Sequence, residues 1–297
     1  MGLFFNYDKP GPGVDKNAPK KKGVFRYFEI FGRKLGKLIQ LNMLYFLCSL
    51  PMILISFLFF VPVMAGLFSF ADMSASGIAA DEIATIQSLF SLFLTFVFVL
   101  FMGSGPASAA SAYIMRSFVR EQHIWLISDF FKKFKENFKQ GMLVSVISLI
   151  VTFAGIFSIT FYYQQFINTN QTIWFILMTL LIIFFVIFTL MHSYIYQIMV
   201  TFENKLSQLY KNALLMTLSS FPQLILLGIF ALIVSYFMCT SLMPFASLLI
   251  SFLLAFTYLR FPFEFFTASS IQKKILDNLP VEENEEASTD EFNGSED

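Results

Sequence analysis

From Leu41 to Ala65 the chain reads LNMLYFLCSLPMILISFLFFVPVMA, 25 residues without an Asp, Glu, Lys or Arg. A helix needs about 20 apolar residues to cross the hydrocarbon core of a bilayer, so this stretch predicts a transmembrane span. It lacks the alternation of a strand and is far longer than one. Inside lipid, a helix also satisfies its own backbone hydrogen bonds. Five further runs follow, at about Leu89–Ala112, Met142–Tyr163, Trp174–Thr201, Ala213–Met238 and Leu242–Phe266. The reading is an all-α membrane protein, a six-transmembrane-helix bundle spanning residues 41–266.

The cations orient it. Counting from the N-terminus, the seven segments outside the runs carry 9, 0, 6, 0, 2, 0 and 3 Lys and Arg, with Arg260 counted in the last, which accounts for all 20. Positive loops stay cytoplasmic during insertion, so both termini are expected in the cytoplasm. The chain is 57% hydrophobic and 13% charged, too little charge for a soluble domain. The basic residues flank membrane runs, so nucleic-acid binding is not indicated. Cys48 and Cys239 lie inside apolar runs, which argues against a disulfide framework. The N-terminus shows no cleavable signal peptide, and Asn6 occupies the position where a myristoylated Gly2 would require Ser or Thr.

Two cytoplasmic segments are basic and aromatic. In residues 1–40, a Pro- and Gly-rich arm (Asn6 to Gly13) leads to Lys20, Lys21 and Lys22. Phe25, Phe28, Phe31, Leu35 and Leu38 then recur at helical spacing among Arg26, Arg33, Lys34 and Lys37. This predicts an amphipathic interfacial helix on an anionic cytoplasmic leaflet. The second segment repeats the design with Phe130, Phe131, Phe134 and Phe138 among Lys132, Lys133, Lys135 and Lys139. It reads as an interfacial anchor, with Phe134, Phe138 and Asn137 as candidates for docking a partner. Residues 267–297 form the C-terminal segment, whose stretch Asp277–Asp297 holds nine acidic residues and no basic ones, a composition expected to be disordered.

An internal repeat is visible. Phe31, Lys34, Leu35, Leu38, Leu44, Leu47, Ser49 and Pro51 match Phe202, Lys205, Leu206, Leu209, Leu215, Leu218, Ser220 and Pro222. It implies three helical hairpins of one orientation, a pattern used by transporters and scaffolds alike.

Candidates for chemistry are few. His192 lies in the cytoplasmic half of the fourth run, as a polar contact to a neighbouring helix or a proton relay. Arg260 and Glu264, four apart around Pro262, can share a helix face and are expected to snorkel to the interface as a modest pair. Gly105 and Pro106 can bend the second run. Gly105/Ala109 and Ser108/Ala112 place small residues at a spacing that lets helices approach closely. A phosphate loop, a dinucleotide motif, a metal constellation and a serine with an evident histidine partner are all missing from the sequence. No catalytic residue, cofactor or metal is expected.

Three blocks carry a family resemblance: Gly2–Phe4 with Asn6–Val14; Gly105–Ala107 through Arg116 to Asp129–Phe131 and Glu136–Gln140; and Thr201–Asn204 with Lys211–Leu215. On these, nearly the whole chain resembles the YesL-like proteins, small membrane proteins of Gram-positive bacteria without an established activity; the acidic tail looks like an addition. At Thr201 the family more often has a cation. The resemblance implies a bacterial plasma-membrane protein associated with carbohydrate uptake by ABC systems. Two functions stay open: a non-enzymatic accessory or scaffold, and a permease-like transport component. Lys211–Leu215 leading to Phe221–Pro222 bears a weak likeness to an ABC coupling loop. A water-accessible cavity lined by His192, Ser108 and Ser111 would favour transport, and a solid bundle would favour scaffolding.

Overall fold

A computed structural model describes residues 23–67, 80–240 and 256–278, with side chains for 23–63, 82–237 and 258–277. The arm at Asn6–Gly13, residues 242–255 of the sixth run and the acidic tail beyond Asn278 lie outside the described residues. Among the described residues the regular structure is helical: α1 Val24–Leu67, α2 Ala80–Met102, α3 Pro106–Arg120, α4 Leu126–Glu136, α5 Phe138–Thr169, α6 Thr172–Met199, α7 Leu206–Ser219, α8 Phe221–Thr240 and α9 Phe256–Lys274, closed by a 3-10 turn at Leu276–Asn278. Four helices are long and apolar enough to cross a membrane, or five if α7 and α8, bent by 89° at their junction, count as one.

α1 overturns one expectation. The amphipathic stretch from Phe25 is not a separate interfacial helix; it runs unbroken into the first apolar run for 44 residues, about 66 Å at the rise of an α-helix. Gly32 and Gly36 are too mild to break it, and it continues through Pro51 and Pro62. Its buried stripe is Ile30, Leu38, Leu41, Tyr45, Ser49, Ile53, Ser56 and Phe60, one face at helical period. Phe25, Phe28 and Leu35 point outward, while Phe31 packs with Tyr27, Tyr258 and Phe261. The opposite face of the apolar half exposes Leu47, Leu54 and Leu58. A rod that is apolar inside and out belongs in lipid.

The second run is not one helix. α2 packs along α1 and ends at Met102. Gly103 and Gly105 both take positive φ (78° and 70°), a backbone that glycine adopts without steric cost. Pro106 then opens α3 at the first helical position, where its missing N–H costs nothing. α3 runs back past the N-terminal half of α1. At its far end Arg26 donates to Val119 O (2.9 Å), Arg33 pairs with Glu121 (2.8 Å), and the Lys34 ammonium sits over the Phe118 ring.

α5 and α6 form a hairpin turned at Asn170, whose φ of 53° is a left-handed geometry asparagine tolerates. The fifth run is also broken. α7 packs across α6, and α8 leaves it at 89°, with Pro222 in its first turn, where proline suits a helix start. Lys274 of α9 holds the corner, donating to Ser219 O (3.2 Å), Ser219 Oγ (2.9 Å) and Ser220 Oγ (2.9 Å). The two aligned repeat segments therefore differ in shape: the helix is unbroken through Pro51, and the chain is bent just before Pro222.

Candidate functional site

The break at Gly103–Gly105 is the centre of a buried polar network. Its freed backbone groups are taken up by side chains, as buried polar groups require. Ser104 N–H donates to Ser108 Oγ (2.8 Å), and Tyr196 OH donates to Met102 O (2.8 Å). Ser104 Oγ donates to Tyr45 OH (2.9 Å) and lies 2.6 Å from Ser49 Oγ; Tyr45 OH lies 3.2 Å from Ser108 Oγ. Three helices, α1, α3 and α6, thus meet the break through hydroxyls.

Small residues make this possible. A Cβ on Gly103 would sit 2.5 Å from Ser108 Oγ and 2.6 Å from a Tyr196 ring carbon; one on Gly105 would sit 2.8 Å from Gly141 O, and one on Gly141 2.7 Å from Pro106 N. α3 and α5 touch there nearly backbone to backbone. Ala109 and Ala112 are fully buried, so the small residues act in packing, and Gly105 and Pro106 also break the helix. The carbonyl freed at Met102 faces protein rather than an open path.

The network continues to charged groups. Arg260 Nε and Glu264 Oε1 are 2.9 Å apart, with side chains 3% and 1% exposed. The expectation that they snorkel to the interface is therefore corrected. α9 stays helical through Pro262, which keeps the spacing of four, and the helix packs against α1, α3 and α6, which sequesters the pair. Gln197 Nε2 bridges Glu264 Oε2 to Ala112 O. The Arg260 guanidinium lies over the Tyr196 ring, 5.2 Å from its centroid. Thr201 donates to Gln197 O and accepts from Arg116, itself buried beside the Tyr113 ring. The Thr201 hydroxyl thus joins the Arg116 guanidinium to the backbone of α6. A pocket of about 10 Å³, lined by Leu100, Phe101, Ser193, Arg260, Phe263 and Glu264, adjoins the pair; it has room for roughly one water.

His192 is fully buried. Its Nδ1 lies 2.8 Å from Phe188 O, so that nitrogen carries a proton, and its Nε2 lies 2.6 Å from Ser148 Oγ. The sequence hid this serine partner 44 residues away. The geometry is that of a core contact: Ser148 is sealed, Val144 O at 2.7 Å competes with His192 Nε2 for its one hydroxyl proton, and the far side of the imidazole meets a carbonyl rather than the carboxylate of a catalytic triad.

The docking candidates separate. Phe134 is half-buried between Phe130 and Phe138, and Asn137 donates to Lys133 O at the end of α4. Phe138 is exposed. Sequence reasoning missed Tyr45, Ser49, Ser104, Tyr196 and Gln197, and it reached Arg116 and Thr201 only through the family resemblance, not as partners. Hydroxyls and amides inside apolar runs were the available signal, but nothing in the sequence pairs residues 45 and 104.

Among the described residues no group of three or more His, Cys, Asp or Glu could hold a metal ion. No curated protein matches the chain. No solved structure matches it. Residues 83–159, from α2 through the break and α4 into α5, match the family described as "Protein of unknown function, DUF624".

Proposed function

We propose that this is a non-enzymatic accessory or scaffold component of the bacterial plasma membrane, tied to carbohydrate uptake or its regulation. The family match at 83–159 supports the resemblance to the YesL-like proteins, and the carbohydrate association rests on that resemblance. The proposed arrangement is six crossings in three hairpins with both termini cytoplasmic, supported by the alternation of basic and cation-free segments. The sixth crossing is proposed for the run Leu242–Phe266.

One observation carries the scaffold reading. The polar groups available to a solute, His192, Ser108 and Ser111, are buried and hydrogen-bonded within the protein. The pocket beside the ion pair has room for a water, not a sugar. A permease-like component is the second reading, favoured by the broken helix beside a buried ion pair, since broken helices and intramembrane charges also build transport sites. Affinity purification from native membranes, with co-purifying proteins identified, tests the first, and a membrane protein of an ABC sugar-uptake system is the expected partner. Uptake of a sugar by vesicles holding the purified protein alone would replace the scaffold reading with the permease.

A further inference from the structure

α4 buries one face and leaves another uncovered. Phe130 and Leu126 are buried, on a helix that packs mainly on α3. Trp125, Ile127, Phe131 and Phe138 are exposed, at 72%, 63%, 41% and 47%. Of the ridge that the sequence suggests, Phe131 and Phe138 are exposed, Phe130 is buried and Phe134 half-buried. Ile127 and Phe131 lie one turn apart on α4, and Trp125 precedes the helix as its N-cap with its ring against His123. Lys132, Lys135 and Lys139 are exposed among these apolar groups, while Lys133 is occupied by Glu136 at 2.8 Å and by the Tyr113 ring.

The occupant is indicated by what adjoins the stripe. Phe138 begins α5 directly after Asn137, and exposed apolar residues continue along α5 as Met142, Val146, Ile150 and Phe157. α5 is long and apolar enough to cross a membrane. Its outward face is the lipid face, and it begins with Phe138, directly after the Asn137 turn that ends α4. A second contact adds cation density at this border: Gln140 Nε2 donates to Asn204 O (2.9 Å), bringing Lys139 and Lys205, the sequence neighbours of the bonded residues, to the same junction. Lys205 is exposed too. Aromatic and aliphatic side chains beside lysines, at the level where a helix leaves the bilayer, fit the phosphate of an anionic lipid and its upper acyl chain.

We propose that α4 and the α4–α5 junction form a binding site for anionic phospholipid, with Trp125, Ile127, Phe131 and Phe138 in the acyl layer and Lys132, Lys135 and Lys139 on the headgroup phosphate. The assignment does not depend on the scaffold reading. The chain has two tryptophans, so Trp174→Phe leaves Trp125 as the reporter. The full-length variant is reconstituted in phosphatidylcholine vesicles with and without phosphatidylglycerol, and quenching by acyl-brominated forms of each lipid is read. The site predicts blue-shifted Trp125 emission, quenched several-fold more by brominated phosphatidylglycerol than by the choline lipid at equal mole fraction. Lys132→Gln, Lys135→Gln and Lys139→Gln together should remove that preference and leave quenching by the choline lipid. Water-like emission quenched by iodide and by neither lipid would mean a cytoplasmic face for a protein partner, and would overturn the proposal. Equal quenching by both lipids before the lysines are changed would overturn it as well. Phosphatidylglycerol adducts retained in native mass spectrometry of the unmutated protein, lost in the triple variant, provide the same test without Trp174→Phe.

Discussion

Removing Glu264 leaves the Arg260 guanidinium sequestered between α9 and α6 without its carboxylate. Breaking a buried pair from one side typically costs about 3–5 kcal/mol, whereas replacing both charges by apolar groups of similar volume is close to neutral or stabilising. Glu264→Ala should therefore lower the melting temperature in detergent sharply, and Arg260→Met with Glu264→Leu should recover most of the loss. Equal loss in single and double variants would mean the pair contributes through shape alone. A second contrast concerns glycine. Gly103→Ala puts a methyl group 2.5 Å from Ser108 Oγ at a φ of 78°, and an unfavourable backbone of this kind costs on the order of 1–3 kcal/mol before the clash is counted. Gly36 lies inside α1 with nothing within 4 Å of an added Cβ, so Gly36→Ala should stabilise by about 0.5–1 kcal/mol. Melting curves of the two variants should move in opposite directions. The Arg260–Glu264 spacing was legible in the sequence because it is local. Gln197 and Tyr196, which determine that the pair is buried rather than snorkelling, lie more than 60 residues upstream and carry no mark that distinguishes them from other polar residues in apolar runs.

The elements were legible where composition alone decides them. The third apolar run falls within α5, the fourth overruns the end of α6 by only Val200 and Thr201, and the turn at Asn170 falls between the two runs. Breaks are harder to read. Gly103 to Pro106 suits either a kinked helix or a stopped one, and what holds the stop is tertiary: hydroxyls from α3 and α6 replace lost backbone partners, and those of α1 hold the Ser104 side chain. The corner between α7 and α8 carries a sequence trace, Pro222 in a first turn, but proline is tolerated inside membrane helices too, and α1 accepts Pro51 and Pro62. The corner makes a distance prediction. Spin labels at Ser207 and Ile229, both exposed, would be about 33 Å apart on a straight helix at 1.5 Å per residue; an 89° corner at Ser220 brings them to about 24 Å. Pulsed electron paramagnetic resonance on reconstituted protein distinguishes the two, and the longer distance would contradict the bend. Lys274→Met, which removes the three bonds to Ser219 and Ser220, should broaden that distance distribution.

At the scale of the whole molecule, the charge pattern makes the broadest prediction. A reporter fused after Asp297 should be cytoplasmic and one inserted in the Asn170 turn external, as read by accessibility to a membrane-impermeant label; the reverse pattern would invert the orientation. The structure adds a division that charge alone does not give. Below the break, α3, α4, α9 and the first half of α1 pack together and hold most of the described cations, while beyond it α1, α2, α5 and α6 turn apolar side chains outward. The distance in sequence across the break also has a consequence for biosynthesis. Ser49 waits for Ser104, 55 residues later in the chain. At about 5–20 residues per second, the turn of α1 that carries Ser49 is made roughly 3–11 s before Ser104. For that interval its buried face must be sheltered by the insertion machinery or by its own carbonyls. A ribosome stalled shortly before Gly103 would thus present a nascent helix with its hydroxyl face uncovered, and the break itself is completed only when Tyr196, 94 residues after Met102, reaches its carbonyl.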